Sequence, residues 1–395
     1  MEKLLILKKG RDRSAQRRHP WIFSGAVAEL RGDPQPGEDL LVRSIDGHPL
    51  GRAAYSPYSQ IRARFWSFDP EEAIDAAFFK DRLQAALERR RRMLGHLPQA
   101  FRWVHGESDG LPGLVVDVYG DYVVCQILSA GVELNKAVIT AQLGELWPAK
   151  GIVERSDVAV RAKEGLSERV GLLAGSAPEG PLDLELGGLR FYVDLFEGHK
   201  TGHYLDQREN WARLGRYAQG RDCLNCFGYT GGFSLALLQG GAASLLQVEA
   251  SAAANGKFKD NLALNGLDAS RAETVEADVF KELRRFRDQG KEFDLILLDP
   301  PKFADTAAQL DRAARGYKDI NLLAFKLLRP GGILASFSCS GAVSPELFKK
   351  ILADAALDAR RGARIIERLG PSPDHAADLA FPEGDYLKGL ILSVD

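Results

Sequence analysis

Hydrophobic positions follow two different patterns along the chain. Before residue 69, short apolar runs are separated by Gly and Pro turns, whereas from about residue 196 onward apolar runs alternate strictly with amphipathic stretches. The first pattern is typical of a small β-rich module. The second predicts strand–helix alternation, and therefore a mostly parallel sheet with helices on both faces. The strands predicted for the β-rich module are Lys3–Leu7, Leu40–Arg43, Pro49–Ala54 and Arg62–Phe68.

The segment between these two patterns mixes strands and helices, as expected of a small α/β domain. Asp69-Pro70-Glu71-Glu72 is a helix-start signal that predicts a long helix over Ala73–Leu94. Gly187-Gly188, flanked by the runs Leu182–Leu186 and Leu189–Val193, predicts a β-hairpin. We therefore expect three domains: a β-rich module over residues 1–68, a central α/β domain over 69–181, and a Rossmann-like α/β domain over 182–395 that opens with the hairpin. The parallel strands predicted for the last domain are Cys223–Cys226, Ser244–Val248, Ala272–Glu276, Phe293–Leu298 and Ile333–Phe337.

The composition is that of a soluble globular protein, since 45% of the 395 residues are hydrophobic and 27% are charged. No run approaches the ~20 apolar residues that a membrane-spanning helix requires, and the four cysteines are too scattered for a disulfide framework. Cys223 and Cys226 form a C-x-x-C pair without a nearby histidine, so we expect no metal site. A reducing cytoplasm is the expected location. The oligomeric state, a homodimer included, is left open.

Basic residues are concentrated at the N-terminal end. Residues 1–68 contain 12 Lys and Arg against seven acidic residues, whereas the whole chain has a formal net charge of −2. A basic module on an acidic body suits a polyanion-binding appendage. Arg17 and Arg18 are therefore candidates to bind RNA phosphates, with a solvated surface as the alternative.

Three features of the last domain lie where α/β sheets bind nucleotides. The loop Asn225–Gly232 joins the first strand to its helix, and its glycines allow backbone amides to approach a ligand. Glu249 ends the second strand, where a carboxylate can bind both ribose hydroxyls. Asp278 ends the third strand, where it can accept the exocyclic amine of adenine. The candidate cofactor residues of this region are Asn225, Phe227, Gly228, Thr230, Gly231, Glu249, Ala250, Asp278, Val279 and Asp299.

The loop favours S-adenosylmethionine over a dinucleotide as the ligand. It lacks the first glycine of G-x-G-x-x-G, which the pyrophosphate turn requires, whereas S-adenosylmethionine has no phosphates and tolerates bulkier loop residues. The loop also departs from the acidic-x-Gly-x-Gly-x-Gly pattern usual in methyltransferases, because Asn225, Phe227 and Tyr229 replace three of its positions.

Two further strands end in chemically distinctive residues. Asp299-Pro300-Pro301-Lys302-Phe303 follows one apolar strand, and Ser338-Cys339-Ser340 follows the next. Each proline fixes φ and removes a donor, which leaves the Asp299 carboxylate in the crevice outside the strand ends. If the two strands are neighbours, Cys339 faces the same crevice. A carboxylate that holds a flat heterocycle and a thiolate that attacks it are suited to methylating a pyrimidine carbon. Lys302 can lower the thiol pKa or bind a phosphate.

Over essentially its whole length, the chain resembles the bacterial 23S rRNA cytosine-C5 methyltransferases that carry an N-terminal PUA domain. The resemblance implies a class I methyltransferase fold behind a PUA-like domain, S-adenosylmethionine as cofactor and 23S ribosomal RNA as substrate. It also implies that Tyr204, Gln207 and Arg208 contact the methionine end of the cofactor, with capping of the following helix as the alternative. The matching segments are His19–Gly25, Tyr55–Ile61, Gly106–Leu114, Gly198–Arg208, Asn225–Phe233, Asp299–Phe303, Phe337–Ser340 and Phe381–Gly389.

Two other functions remain open at this point. N-methyltransferases that act on exocyclic amines also use Asp-Pro-Pro followed by an aromatic residue, and they need no cysteine. Many RNA cytosine-C5 methyltransferases have a second cysteine after the Asp-Pro, whereas this chain has Pro301-Lys302 there. The other function is a non-catalytic RNA-binding protein, against which the intact acids Glu249, Asp278 and Asp299 argue.

Overall fold

The fold is described for residues 3–304 and 306–395, from a computed structural model. The chain divides into two compact units, and it passes between them several times. The first unit comprises the chain up to Leu184 together with Val193–Leu205 and Pro373–Gly384. The second comprises Glu185–Tyr192, Asp206–Ser372 and Asp385–Asp395. Within the described residues, no helix combines the length and the apolar character needed to cross a membrane.

The N-terminal part of the first unit is a six-stranded sheet in the order β2-β6-β5-β4-β1-β3. Its core contains Leu5, Leu40 and Phe65. Two of its strands, β2 and β3, were not predicted from the sequence. β2 has only three residues and β3 is almost wholly exposed, so neither shows a clear alternation of apolar and polar residues. The elements are β1 (Leu4–Leu7), α1 (Arg13–Gln16), β2 (Trp21–Phe23), β3 (Val27–Arg31), β4 (Asp39–Arg43), β5 (Pro49–Tyr55) and β6 (Ile61–Ser67).

A five-stranded sheet in the order β11-β10-β9-β8-β7 forms the rest of the first unit's sheet structure. Helix α2 packs Phe79, Leu83 and Leu87 into a core shared with Trp103. The elements are α2 (Ala76–Leu94), β7 (Ala100–His105), β8 (Leu114–Tyr119), β9 (Tyr122–Ile127), α3 (Ala130–Leu134), α4 (Lys136–Leu146), β10 (Gly151–Ser156) and β11 (Arg169–Gly175).

The predicted start of helix α2 is wrong by several residues. Asp69 does not cap the helix, because its carboxylate accepts the backbone N–H of Glu71 in a tight turn. The N-cap is Asp75, whose carboxylate accepts the N–H of Phe78 at 3.0 Å. Both carboxylates form the same kind of local bond to the backbone, so an aspartate in a turn and an aspartate at an N-cap have the same local signature.

The predicted hairpin is present as strands β12 (Leu182–Leu186) and β13 (Leu189–Val193). The predicted strand–helix alternation of the last domain is also confirmed. After helix α5 (Arg208–Gly215), its elements are β14 (Asp222–Cys226), α6 (Gly232–Gln239), β15 (Ser244–Glu249), α7 (Ala252–Leu264), β16 (Ala272–Glu276), α8 (Val279–Asp288), β17 (Phe293–Leu298), α9 (Leu310–Leu327), β18 (Leu328–Ser338), α10 (Pro345–Asp358), β19 (Ala363–Leu369) and β20 (Lys388–Val394).

These strands form a seven-stranded sheet in the order β16-β15-β14-β17-β18-β20-β19. The first five strands are mutually parallel, whereas β20 runs antiparallel to both of its neighbours. The chain extends the sheet outward from β14 to β16 and then returns to place β17 on the other side of β14. This reversal creates a crevice between β14 and β17, which is where open α/β sheets bind ligands.

The cap of helix α2 gives a testable consequence. Asp75→Ala should lower the free energy of unfolding by about 1 kcal/mol, because the Phe78 N–H loses its acceptor. Glu71→Ala, in the segment first predicted to start the helix, should change it by less than about 0.5 kcal/mol. Urea denaturation of the full chain measures both values. A larger loss for Glu71→Ala than for Asp75→Ala would contradict this assignment of the cap.

Candidate active site

The predicted ligand-binding positions of the second unit follow the carboxyl ends of its five parallel strands. Because those strands run in the same direction, their carboxyl ends share one edge of the sheet. Strands β17 and β18 pair directly, with Leu298 opposite Ser336, so the expectation that they are neighbours is confirmed. In the order of the strands from β16 to β18, the positions are Asp278, Glu249, the loop 227–231, Asp299 and Cys339.

The loop after β14 has an unusual backbone. Phe227 and Tyr229 have φ values of 63° and 47°, in the left-handed region that residues with a Cβ rarely adopt. Such conformations cost of order 1–3 kcal/mol each and persist only where the surroundings hold them. Here the N–H groups of Phe227 and Gly228 both donate to the Val248 carbonyl, at 2.9 and 3.3 Å.

Hydrogen bonds among buried side-chain amides and a buried hydroxyl also hold this loop. The Asn225 amide donates to Ser234 Oγ at 2.7 Å, and Ser234 Oγ donates to Gln247 Oε1 at 2.7 Å. Gln247 Nε2 then donates to the Tyr229 carbonyl at 3.2 Å and to Asn255 at 3.1 Å. Asn225 therefore supports the loop through its side chain, while its own exposure is 1%.

The loop glycines make room for the domain's own side chains. A Cβ at Gly228 would come within 2.4 Å of Gln247, and a Cβ at Gly231 within 2.1 Å of the Phe258 ring. The prediction that these glycines serve the approach of a ligand is therefore incomplete, because each has a packing reason of its own. Thr230 is also buried, and its carbonyl accepts the Asn261 amide at 3.1 Å.

Glu249 connects this loop to the end of β15. One carboxylate oxygen accepts the Tyr229 N–H and the other accepts the Ser251 N–H, both at 2.9 Å. A carboxylate offers about four lone-pair positions. One of them holds the loop at Tyr229 and one holds the turn at Ser251. The side chain is half-buried, so the same carboxylate can accept two further donors.

Asp278 lies two residues beyond the end of β16, whose predicted bounds, Ala272–Glu276, are confirmed. It is the N-cap of helix α8, and its Oδ1 accepts the Lys281 N–H at 3.0 Å. Its side chain is exposed, as is that of Ala250, whereas Val279 is buried at the start of α8. The sequence could not distinguish a capping carboxylate from a ligand-binding one, because an aspartate before a helix suits both.

Asp299 is held by an amide that is distant in the sequence. Gln207 Nε2 donates to Asp299 Oδ2 at 3.0 Å, and Gln207 Oε1 accepts the Asn210 amide at 2.6 Å. Arg208, at the start of α5, is 2% exposed and packs against Gly187 of the hairpin turn. The structure thus brings together two predicted site residues, Gln207 and Asp299, and places Arg208 in a packed position.

Tyr204 belongs to the first unit. Its hydroxyl is 3.1 Å from His199 Nδ1, and Lys200 Nζ lies 4.4 Å from the centre of its ring. A cavity of about 420 Å³ in this unit is lined by Tyr204, His199 and Lys200, together with Arg155 and Phe196.

A buried hydroxyl network joins the segments that carry Asp299 and Cys339. Ser340 Oγ accepts the N–H groups of Phe303 and Ala304, at 3.2 and 3.3 Å, and lies 3.0 Å from the Tyr317 hydroxyl. Ser338 Oγ donates to the same tyrosine oxygen at 3.0 Å. Burial and the nearby charges of Cys339 and Asp299 raise the pKa of Tyr317, so it stays a neutral phenol.

Cys339 differs from the other cysteines in its exposure. Cys125, Cys223 and Cys226 are buried in cores, where desolvation raises their thiol pKa, to about 12 for Cys223. Cys339 is partly exposed, directly after β18. Because a thiolate must reach its target, Cys339 is the cysteine of this chain with access to a reactant.

Two lysines accompany this site. Lys302, predicted from the sequence, is exposed in the segment after β17. Lys388 was not predicted, and its Nζ donates to the carbonyls of Ser340 and Val343 at 2.8 and 2.7 Å. Tyr317 was missed as well. Lys388 lies in one of the segments that carry the family resemblance, whereas nothing in the sequence around Tyr317 distinguishes it from a core residue.

The predicted RNA contacts Arg17 and Arg18 are exposed and follow helix α1 in the first unit. Arg18 has a φ of 61°, and its N–H donates to the Ala15 carbonyl, which ends the helical turn. Their exposure is compatible with phosphate binding and with a solvated surface alike.

The strained loop after β14 allows a matched test. Gly231→Ala should lower the free energy of unfolding by about 2–4 kcal/mol, because φ is +93° and the new Cβ would overlap the Phe258 ring. Gly256→Ala, on the exposed side of helix α7 with nothing within 4 Å, should instead stabilise the protein by about 0.5–1 kcal/mol. Urea denaturation measures the free energy of unfolding of the two variants, and equal changes would show that the loop tolerates a side chain at 231.

Comparison with known proteins gives the family. A family model for S-adenosylmethionine-dependent methyltransferases matches residues 166–391, and a model for PUA-like domains matches residues 5–68. The Aeromonas salmonicida (strain A449) protein named ribosomal RNA large subunit methyltransferase I is 50% identical over 393 residues, which are 99% of each chain. The protein of the same name from Shewanella denitrificans is 50% identical over 390 residues, or 98% of each chain.

Solved structures share the fold. One from Streptococcus mutans, described as a SAM-dependent methyltransferase, has a TM-score of 0.86 at 21% identity over 100% of both chains. Another methyltransferase, complexed with SAH, has a TM-score of 0.87 at 21% identity over 100% of both chains. With the family models, these likenesses confirm the predicted fold class, a PUA-like β-rich domain and a Rossmann-like methyltransferase domain. The cofactor is S-adenosylmethionine, and the chain belongs to the family of S-adenosylmethionine-dependent methyltransferases that includes the proteins named ribosomal RNA large subunit methyltransferase I.

Proposed function

We propose that this chain methylates C5 of a cytosine in 23S ribosomal RNA and that Cys339 is the nucleophile. The names of relatives at 50% identity support a large-subunit ribosomal RNA substrate. The observation that carries the cytosine-C5 chemistry is the position of Asp299 and Cys339 directly after the ends of two adjacent strands, with Ser340 bonded to the segment that follows Asp299. A partly exposed thiol beside a carboxylate in a ligand crevice suits attack on a heterocycle.

The residues of the second unit fit S-adenosylmethionine. Glu249 keeps acceptor positions for the two ribose hydroxyls after holding Tyr229 and Ser251. Asp278 uses Oδ1 in its helix cap, which leaves Oδ2 to accept the adenine amine. Gln207 and Asp299 stand at the β17 side of the loop, where the methionine end would lie. The other proposed cofactor residues of the second unit are Arg208, Asn225, Phe227, Gly228, Thr230, Gly231, Ala250 and Val279. The role predicted for Tyr204, in the first unit, stays a prediction.

The reaction begins at C6 of the cytosine. The Cys339 thiolate forms a bond to C6, and the electron pair of the C5–C6 double bond moves to make C5 nucleophilic. Asp299 hydrogen-bonds the N3/N4 edge of the base and stabilises the charge that develops as the thiolate adds. When bound, S-adenosylmethionine would supply the electrophilic methyl group that C5 accepts, with the methyl–sulfur bond breaking and its electron pair staying on the sulfur of the demethylated cofactor.

The product is released by elimination. A base removes the proton from C5, the electron pair restores the C5–C6 double bond, and the C6–S bond breaks to return the Cys339 thiolate. Pro301-Lys302 stands where many related enzymes have a second cysteine, so release does not depend on a thiol at that place. The competing function is N-methylation of an exocyclic amine, which the Asp299–Phe303 segment would also serve and which needs no thiol.

The covalent step can be trapped. RNA with 5-fluorocytidine at the target should stay attached to the enzyme, because C5 then has no proton to lose after methyl transfer. We expect a denaturation-resistant, cofactor-dependent band on a gel for the parent protein and none for Cys339→Ala. Cys226→Ala is the matched control and should still form the band, because that thiol is buried in the core.

The same assay separates the two chemistries. Asp299→Asn should slow methyl transfer by about 10²–10³, the scale for losing one electrostatic stabiliser. If Cys339→Ala methylates RNA at the parental rate, the cytosine-C5 proposal is wrong and the N-methylation function takes its place.

We also propose that the PUA-like domain holds RNA phosphates through Arg17 and Arg18. Both side chains are exposed next to the end of helix α1, and arginine suits phosphate because its guanidinium presents several donors. Other arginines of this domain are already engaged by carboxylates. Arg31 pairs with Glu29 at 2.7 Å, and Arg64 with Glu164 at 2.9 Å.

Salt dependence tests this contact. The double variant Arg17→Gln/Arg18→Gln should reduce the slope of log affinity against log salt by about 1.4–1.8 for a 23S rRNA fragment, because each of the two lost phosphate contacts contributes about 0.7–0.9. Arg31→Gln is the matched control and should leave the slope unchanged, since Glu29 already neutralises that charge. Filter binding between 50 and 200 mM salt measures the slopes. An unchanged slope in the double variant would show that Arg17 and Arg18 belong to a solvated surface and do not bind RNA phosphates.

A further inference from the structure

Lys388 lies beside the turn that follows Cys339. It is the first residue of β20, directly opposite Ser338 at the end of β18. Its Nζ donates to the carbonyls of Ser340 and Val343 at 2.8 and 2.7 Å. The Ser340 carbonyl also accepts the Val343 N–H at 3.1 Å, so both carbonyls belong to one tight turn. The ammonium is thereby fixed at the turn that begins one residue after the thiol.

The half-buried position of the Lys388 ammonium is unfavourable unless a nearby interaction compensates for the lost hydration. Its side chain is half-buried, and desolvation lowers its pKa, with a smaller contribution from the like charge of Lys302. A negative charge at Cys339, and the carboxylate of Asp385, act in the opposite direction and favour the ammonium. A cation in such a place gains most when the neighbouring thiol is ionised, because a partly desolvated charge pair interacts more strongly than an exposed one.

The other titratable groups around the thiol do not take this role. Asp299 is an acid, and neither of its protonation states supplies the positive charge that stabilises a thiolate. Tyr317 on helix α9 stays neutral, because burial raises its pKa. Lys302 is positive but exposed, where water screens its charge. Lys388 is the cation of this group whose Nζ is anchored by two backbone carbonyls.

We propose that Lys388 is a positioning residue whose fixed ammonium stabilises the Cys339 thiolate and holds the turn that orients it. The inference rests on the proposed function, since it concerns the ionisation of the nucleophile. No proton passes between the two groups: the thiol releases its proton to solvent, and the ammonium keeps its own. A thiolate stabilised in this way adds to C6 without a separate base to activate it.

Alkylation of Cys339 tests the inference directly. Iodoacetamide reacts with the thiolate, and the other three cysteines are buried, so the pH profile of alkylation in the full chain reports the ionisation of Cys339. Cys339→Ser provides the background rate. We expect Lys388→Gln, which keeps a hydrogen-bond donor but no charge, to raise the thiol pKa by about one unit and to slow alkylation about tenfold below that pKa. Lys388→Arg should restore the parental profile.

Matched variants separate this effect from a general loss of charge or structure. Lys302→Gln removes the exposed neighbour and should shift the profile less than Lys388→Gln, while Lys350→Gln, exposed on helix α10, should leave it unchanged. Lys388→Met is a second charge-free variant, and affinity for S-adenosylmethionine reports whether each variant is folded. A parental profile in a folded Lys388→Gln or Lys388→Met protein overturns the inference, as does a larger shift in Lys302→Gln.

The outcome is distinguishable from failure of the proposed function. The alkylation profile is recorded without RNA, so it reports the thiol whether or not that thiol is the nucleophile. A shifted profile together with parental methylation by Cys339→Ala would retain the Lys388–Cys339 interaction and reject the cytosine-C5 chemistry. An unshifted profile together with a trapped covalent complex would reject the Lys388–Cys339 interaction and retain the cytosine-C5 chemistry.

Discussion

The candidate site depends on the pairing of β17 with parallel strands on both sides. β14 lies on one side and β18 on the other, and both pairings extend to Leu298 at the end of β17. Beyond that residue, Asp299 is followed by two prolines, which have no N–H to donate to a ladder, so pairing must stop there. Because all three strands end at the same edge, the loop after β14, Asp299 and Cys339 reach one edge of the sheet although they are far apart in the sequence.

Buried polar groups then fix the segments that leave this edge. Ser340 receives two N–H groups from the segment after the prolines, and Gln247 reaches the carbonyl of Tyr229 in the loop after β14. A buried donor or acceptor left without a partner costs about 1–3 kcal/mol, so each of these bonds strongly favours one arrangement of its loop. This support is what allows Phe227 and Tyr229 to remain in left-handed conformations.

Several charged side chains of the first unit are engaged in buried hydrogen bonds within the fold. Asp117, fully buried, accepts the Arg102 guanidinium at 2.5 Å and the Thr201 hydroxyl at 2.6 Å. Arg155 donates to the carbonyls of Leu195 and Gly198 at 2.7 and 2.8 Å. A count of basic residues therefore overstates how many cations are available to a polyanion. Exposure, which the count does not contain, decides which of them can take part in binding.

The sequence by itself determined the parallel strands, the hairpin and the order of the helices in the second unit, because a buried strand or a one-sided helix needs an apolar pattern of fixed period. It also indicated Asp299 and Cys339, since turn-forming prolines and a cysteine at strand ends are local features. Only the tertiary structure decided which residues contact them or their neighbours. The bond from Gln207 to Asp299, the Ser340–Tyr317 network and the ammonium of Lys388 join residues far apart in the chain. Such contacts follow from sheet order and register, which no local pattern contains. The start of helix α2 was misjudged, and the capping of α8 by Asp278 was missed, for the related reason that a capping carboxylate has the same sequence signature wherever it stands. Its partner is known only once the backbone is in place.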